Sequence, residues 1–194
     1  MSRALALVLL CGCTPHLYSP ADTGDTAWDW QAPENGWPVQ EPPRGLQGQG
    51  WEEGQVVPDF LLVDQHGDLV SLWQFYGMVV VIDHSTLWCV SCQELARGVE
   101  ETWQTYREQG FMYLTLLSQD MEGQVPDVDE LTMWADYGGI TAPILADDAG
   151  IADQVVGAEG FPRLQVVDRS MRMAVDQVTP ASDAQLRVEV EALL

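Results

Sequence analysis

Cys89 and Cys92 stand two residues apart behind a tryptophan, in the stretch Ile82-Asp83-His84-Ser85-Thr86-Leu87-Trp88-Cys89-Val90-Ser91-Cys92. Two thiols at that interval can hold a metal, staple the chain or carry electrons. A zinc site needs four ligands, and no second cysteine pair or His pair lies at a suitable spacing. Copper held by both thiolates with His84 or His66 is chemically sensible, yet neither histidine sits at a ligand-like interval. A structural disulfide across so short a loop removes little chain entropy and makes a poor staple. The reading these residues favour is a redox dithiol.

Such a pair needs elements that hold it, and the neighbouring sequence supplies them. Met78 to Asp83 is a continuous β-branched run, as in a strand buried on both faces. Val90 to Gln109 then places Cys92, Leu95, Ala96, Val99, Trp103 and Tyr106 at helical spacing, and Gly110 stops the helix. Cys89 thus falls at a helix N-terminus, where unpaired N–H groups and the helix dipole stabilise a thiolate. Further along, Phe111 to Leu117 reads as a buried strand, Asp127 to Tyr137 as a helix and Ala142 to Asp147 as a short strand. Leu164 to Asp168 and Arg172 to Val178 form a hairpin around Arg169-Ser170, and Ser182 to Leu194 is an amphipathic helix capped by Ser182 or Asp183. Before the dithiol, Pro58 to Leu72 reads as two strands around a turn at His66-Gly67-Asp68. The order is mixed βαβ with a late antiparallel hairpin, an α/β fold.

Charge narrows the partners. The 194 residues carry 30 acidic groups against 8 basic ones, all arginine, for a net charge of −22. Such a surface repels nucleic acid and anionic lipid headgroups. Any membrane attachment must therefore come from elsewhere. The N-terminus offers a means: Arg3, an apolar run from Ala4 to Leu10 too short to span a bilayer, then small residues, which is the order of a secretory signal. Leu10-Cys11-Gly12-Cys13 resembles a bacterial lipobox, which implies that residues 1–12 are a signal peptide and that Cys13 is lipidated. Export would place Cys89 and Cys92 outside the reducing cytosol. Residues 13–50, dense in Pro, Gly and acids, read as a disordered tether whose Trp28, Trp30 and Trp37 are unusual in a spacer. The folded domain is expected over 51–194.

Trp88-Cys89-Val90-Ser91-Cys92 resembles the thioredoxin active site, and the lead-in from Val79 places Asp83 on that family's buried carboxylate. Gly160-Phe161-Pro162 is similar to its Gly-x-Pro segment, where a cis-proline faces the dithiol. The stretches Pro58 to Leu72 and Glu130 to Gly150 match the extra hairpin and the inserted helix and strand of TlpA-like redoxins, which are AhpC/TSA-related. The resemblance runs from about Val56 to Leu194. It implies a thioredoxin fold, with a central mixed sheet flanked by helices, an N-terminal hairpin and an insertion. It also implies a membrane-tethered bacterial thiol-disulfide oxidoreductase with no cofactor beyond the redox-active Cys89–Cys92 disulfide. In that scheme Cys89 attacks a partner disulfide and Cys92 resolves the intermediate. Desolvated Asp83 shuttles the Cys92 proton, while Trp88, Phe161 and Pro162 meet the substrate. The partners are cysteine-containing proteins and a redox partner, with no nucleic acid and no metal. The chain departs from the family in its Val-Ser dipeptide and in lacking any lysine to pair with the buried acid. Arg163 is the candidate cation near the thiols, and His84 reads as a packed core residue.

Two other functions fit the fold. A thiol peroxidase has the signature Pro-x-x-x-Thr-x-x-Cys, of which Thr86 and Cys89 are present but Ile82 replaces the proline. A non-catalytic, copper-chaperone-like lipoprotein would use the thiols only as ligands.

Overall fold

The computed structural model describes residues 30–157 and 160–194. The expected signal segment 1–12, the expected lipidation site Cys13 and the tether up to residue 29 lie outside the described residues. A five-stranded sheet forms the centre, in the order β5-β4-β3-β6-β7. Its strands are β3 (Val79–Ser85), β4 (Phe111–Leu117), β5 (Ile144–Ala146), β6 (Arg163–Val167) and β7 (Met173–Val175). A separate hairpin pairs β1 (Leu61–Val63) with β2 (Leu69–Ser71). Strands β3, β4 and β5 run parallel, whereas β6 and β7 are antiparallel additions on the other side of β3. This is the mixed sheet the element order predicts. All seven residues of β3 and of β4 are buried, so both read as unbroken apolar runs without alternation.

Helix α1 (Val90–Tyr106) leaves β3 and lies on one face of the sheet, with Leu95, Ala96, Val99, Trp103 and Tyr106 buried as their spacing predicts. Trp103 and Tyr106 both meet Phe111 of β4, at 6.4 and 5.8 Å between ring centroids. The helix ends through a 3-10 turn at Gly110, whose φ of +78° is left-handed. That backbone favours glycine, and the Arg169 guanidinium comes within 2.7 Å of where a Cβ would stand. Helix α2 (Val128–Gly138) opens on a capping box between Asp127 and Glu130. Helix α3 (Ile151–Val155), a single turn the pattern did not reveal, is held by Asp147, whose carboxylate accepts the N–H groups of Ile151 and Ala152. Helix α4 (Asp183–Glu191) is capped by Ser182 and packs on α1.

Both sheet edges are covered. Beside β5, Gln65 bonds Ala142 and Ile144, and Asp64 bridges to Leu145. Beside β7, Val56 bridges to Arg172, flanked by bonds from Gly54 and Met173.

The expected tether is corrected over residues 30–50, which pack on the domain as a strap, its first half against the hairpin and its end against Val56. The Trp37 indole donates to Asp64 at 2.6 Å, and the Trp30 indole donates to Asp59 at 3.1 Å. Asn35 and Gln74 exchange amide hydrogen bonds, and the Gln40 amide donates to the Gln74 carbonyl. Composition pointed to disorder because Pro, Gly and acids dominate the segment. Its few aromatics are what anchor it, each placing an indole N–H on a carboxylate of the domain.

Candidate functional site

The turn from β3 to α1 sets the dithiol. Cys89 is the N-cap of α1, with extended backbone, and its sulfur accepts the Cys92 N–H at 3.2 Å. A cap that is itself a cysteine puts the first-turn N–H groups and the positive end of the helix dipole on sulfur, which favours the thiolate. The two sulfurs are bonded, at 2.36 Å. Cys89 is 6% exposed and Cys92 1%, so Cys89 is the sulfur a partner reaches first.

Around this rim lie exposed apolar groups. Trp88 is 45% exposed and Val90 67%. The Trp88 indole donates to Gln119 at 3.0 Å, which fixes the ring at the mouth of the site. Phe161 meets that ring edge-on, joined to Pro162 through a cis peptide bond. Pro162 leads directly into β6, whose first residue Arg163 pairs with His84 of β3. Trp88, Cys89, Phe161 and Pro162, distant in sequence, thus share one end of the sheet.

Asp83 lies below, on the face that α1 covers. Tyr113 follows Phe111 on that same face of β4, and its hydroxyl donates to Asp83 Oδ2 at 3.3 Å. The Ser85 hydroxyl donates to Oδ1 at 2.7 Å. Burial pushes the Asp83 carboxyl up from 3.8 to about 7, against the opposing pull of these two hydroxyls. Burial also holds the Tyr113 phenol well above its usual value, with Asp83 and Asp183 adding to the effect, so it stays a donor.

His84 faces the other way, as alternation requires. Its Nε2 lies 3.0 Å from Gln165 Oε1, and burial lowers its pKa to about 4, so the ring is neutral. His66 packs beside Trp37 of the strap, at 5.9 Å between centroids. Arg163 is engaged by Gln177 at 2.9 Å and Asp176 at 3.9 Å, on the strand pairing with His84. Thr86, at the peroxidase-signature position, is fully buried, and among the described residues its hydroxyl has no hydrogen-bond partner.

Sequence reasoning missed Ser85, Tyr113 and Gln119. Ser85 had a signal, since it is two residues from Asp83 on a strand and so shares its face. Tyr113 sits in an unbroken apolar run that says nothing about which hydroxyl meets which acid.

Known proteins resemble this arrangement. The thioredoxin-like protein YneN of Bacillus subtilis is 28% identical over 120 residues, 61% of this chain and 67% of that one. The solved thioredoxin domain of a thiol-disulfide oxidoreductase from Bacteroides vulgatus superposes with a TM-score of 0.60 at 18% identity, over 73% of this chain and 96% of its own. A Chlorobium tepidum structure described as a thiol:disulfide interchange protein DsbE gives 0.61 at 20% identity, over 73% and 97%. Identities this low establish the thioredoxin fold alone. The model of the AhpC/TSA family matches residues 54–173, from the segment that covers β7 to β7 itself, and by that match the chain belongs to the AhpC/TSA family.

Proposed function

We propose that this protein is an exported thiol-disulfide oxidoreductase that exchanges disulfides in partner proteins and is held to a bacterial membrane by lipid on Cys13. The observation that carries the chemistry is the bonded Cys89–Cys92 pair at the start of α1, with a buried acid on the sheet face beneath that helix. From the reduced state, the Cys89 thiolate attacks one sulfur of a partner disulfide. The partner's S–S bond breaks, its other sulfur leaves as a thiolate and takes a proton, and a Cys89–partner disulfide forms. Asp83 then accepts the Cys92 proton, and the Cys92 thiolate attacks Cys89. The intramolecular disulfide closes and the partner's second thiol departs. Two electrons pass to the partner, whose two sulfurs leave as thiolates and take one proton from solvent and one, originally on Cys92, from Asp83; the reverse sequence oxidises it. Trp88, Phe161 and Pro162 form the surface on which the partner lies.

Extracytoplasmic placement is supported by the lipobox-like Leu10-Cys11-Gly12-Cys13, and no described helix is long and apolar enough to cross a membrane. The test is reduction of a disulfide-bonded protein such as insulin with dithiothreitol as electron donor. The proposal requires a rate well above the uncatalysed one, lost in Cys89→Ser.

The family match and the Thr86 hydroxyl three residues before Cys89, unpaired among the described residues, favour a second reading, thiol peroxidase activity. Ile82 in place of proline argues against it. Turnover of hydrogen peroxide by the reduced protein separates the two.

A further inference from the structure

A buried carboxylate normally needs a compensating charge, because its desolvation is costly. Asp83 is 2% exposed, and among the described residues no ion pair reaches it. The chain has no lysine to serve. Instead its two oxygens are met separately: Ser85 donates to Oδ1 and Tyr113 to Oδ2. Ser85 is two residues along the same strand. Tyr113 reaches across from β4, where it pairs with Val81 one step from the acid on the shared face. Both residues are buried, so the hydroxyls are shielded from bulk solvent. A hydroxyl also has lone pairs, so each can accept from the protonated acid as well as donate to the ionised one.

We infer that Ser85 and Tyr113 are positioning residues that set the proton affinity of Asp83, in the place a cation would occupy. The inference deepens the reading of Asp83 as the group that takes the Cys92 proton, and rests on it for its functional meaning. The titratable groups bearing on the acid are Tyr113 from β4 and, through the Tyr113 phenol, Asp183 of α4, while the bonded Cys89–Cys92 pair at the start of α1 does not titrate in the oxidised protein. Ser85 has the shorter bond and the larger influence. Losing a donor to a carboxylate disfavours its charged form.

The experiment follows the Asp83 carboxyl by 13C chemical shift in aspartate-labelled oxidised protein, its resonance identified by its absence in Asp83→Asn. Ser85→Ala is expected to raise the titration midpoint by about one pH unit, and Tyr113→Phe by less. Both variants shed only the hydroxyl from a packed site. An unmoved or lowered midpoint in Ser85→Ala overturns the inference. A second measurement records the pH profile for release of a cysteine peptide from its mixed disulfide with Cys89, which should move alkaline in parallel. If Asp83→Asn leaves that profile unchanged, the proton-relay reading falls, while the carboxyl titration still decides the roles of Ser85 and Tyr113.

Discussion

Phe161 stands edge-on to Trp88, their ring centroids 6.0 Å apart and their planes at 88°. This contact fastens the loop that carries Pro162 to the turn that carries Cys89, so the two walls of the site are held by one aromatic pair. Edge-to-face pairs are worth about 0.5–1.5 kcal/mol beyond their buried area. Phe161→Ala should therefore raise KM for a disulfide-bonded protein substrate by roughly 2- to 10-fold and leave the resolving step intact. Steady-state kinetics on a protein substrate beside a small aromatic disulfide make the check. Equal losses on both substrates would contradict a role in partner binding.

Cys89 and Cys92 are expected to fail differently. Cys89→Ser leaves no nucleophile at the rim and should abolish turnover. Cys92→Ser should still attack but stall as a covalent adduct with the partner, visible as a shifted band on a non-reducing gel and lost with dithiothreitol. Trapping by Cys89→Ser instead would reverse the assignment of attacking sulfur.

Asp83 should make stability depend on pH. Its folded pKa of about 7 lies above the ordinary 3.8, so folding favours the protonated acid. The contribution is whole below about pH 4 and is lost as the pH rises through 7. In the oxidised protein, Asp83→Asn should match wild type near pH 4 and exceed it above pH 8, by up to about 4 kcal/mol. Urea unfolding at the two pH values measures this. A difference that does not change with pH would mean that Asp83 is already ionised in acid.

His84 works in the opposite window. Its folded pKa of about 4 lies below the ordinary 6.5, so its contribution is whole above 6.5 and fades as the pH falls through 4. The ring should show no titration between pH 5 and 8 in heteronuclear NMR. A midpoint near 6.5 would place the ring in water and contradict its burial.

The strap should matter to stability and not to chemistry. Trp37→Phe keeps an aromatic ring, though a smaller one, and removes the donor to Asp64, a buried carboxylate. The expected cost is about 1–3 kcal/mol by chemical denaturation, with turnover on a small disulfide unchanged. If activity fell while stability held, the strap would belong to the site.

The core of the fold was legible because its signals are local. β3 and β4 are apolar throughout, α1 repeats its buried positions at helical spacing, and Gly110 and Ser182 mark ends by backbone requirement. The dithiol was legible for the same reason, being one short motif at a strand-to-helix change. What escaped depends on contacts between distant segments. The Asp83 pocket needs the register that sets Val81 against Tyr113, and nothing in Phe111 to Leu117 announces that register. The strap was misjudged because composition averages over the 38 positions of 13–50, whereas two indoles and one side-chain amide among the described residues do much of the anchoring. Helix α3 is one turn, too short for any period to show.

The strap also sets a working radius. With Trp30 pinned to the hairpin, a lipid on Cys13 would be separated from the domain only by residues 14–29. Drawn out fully, those sixteen residues reach at most about 55 Å, whereas a leash running to Trp51 would reach more than twice as far. The sulfur pair would then serve clients within a thin shell above the bilayer, and lengthening the leash by inserted glycine and serine should let it meet partners that stand farther out.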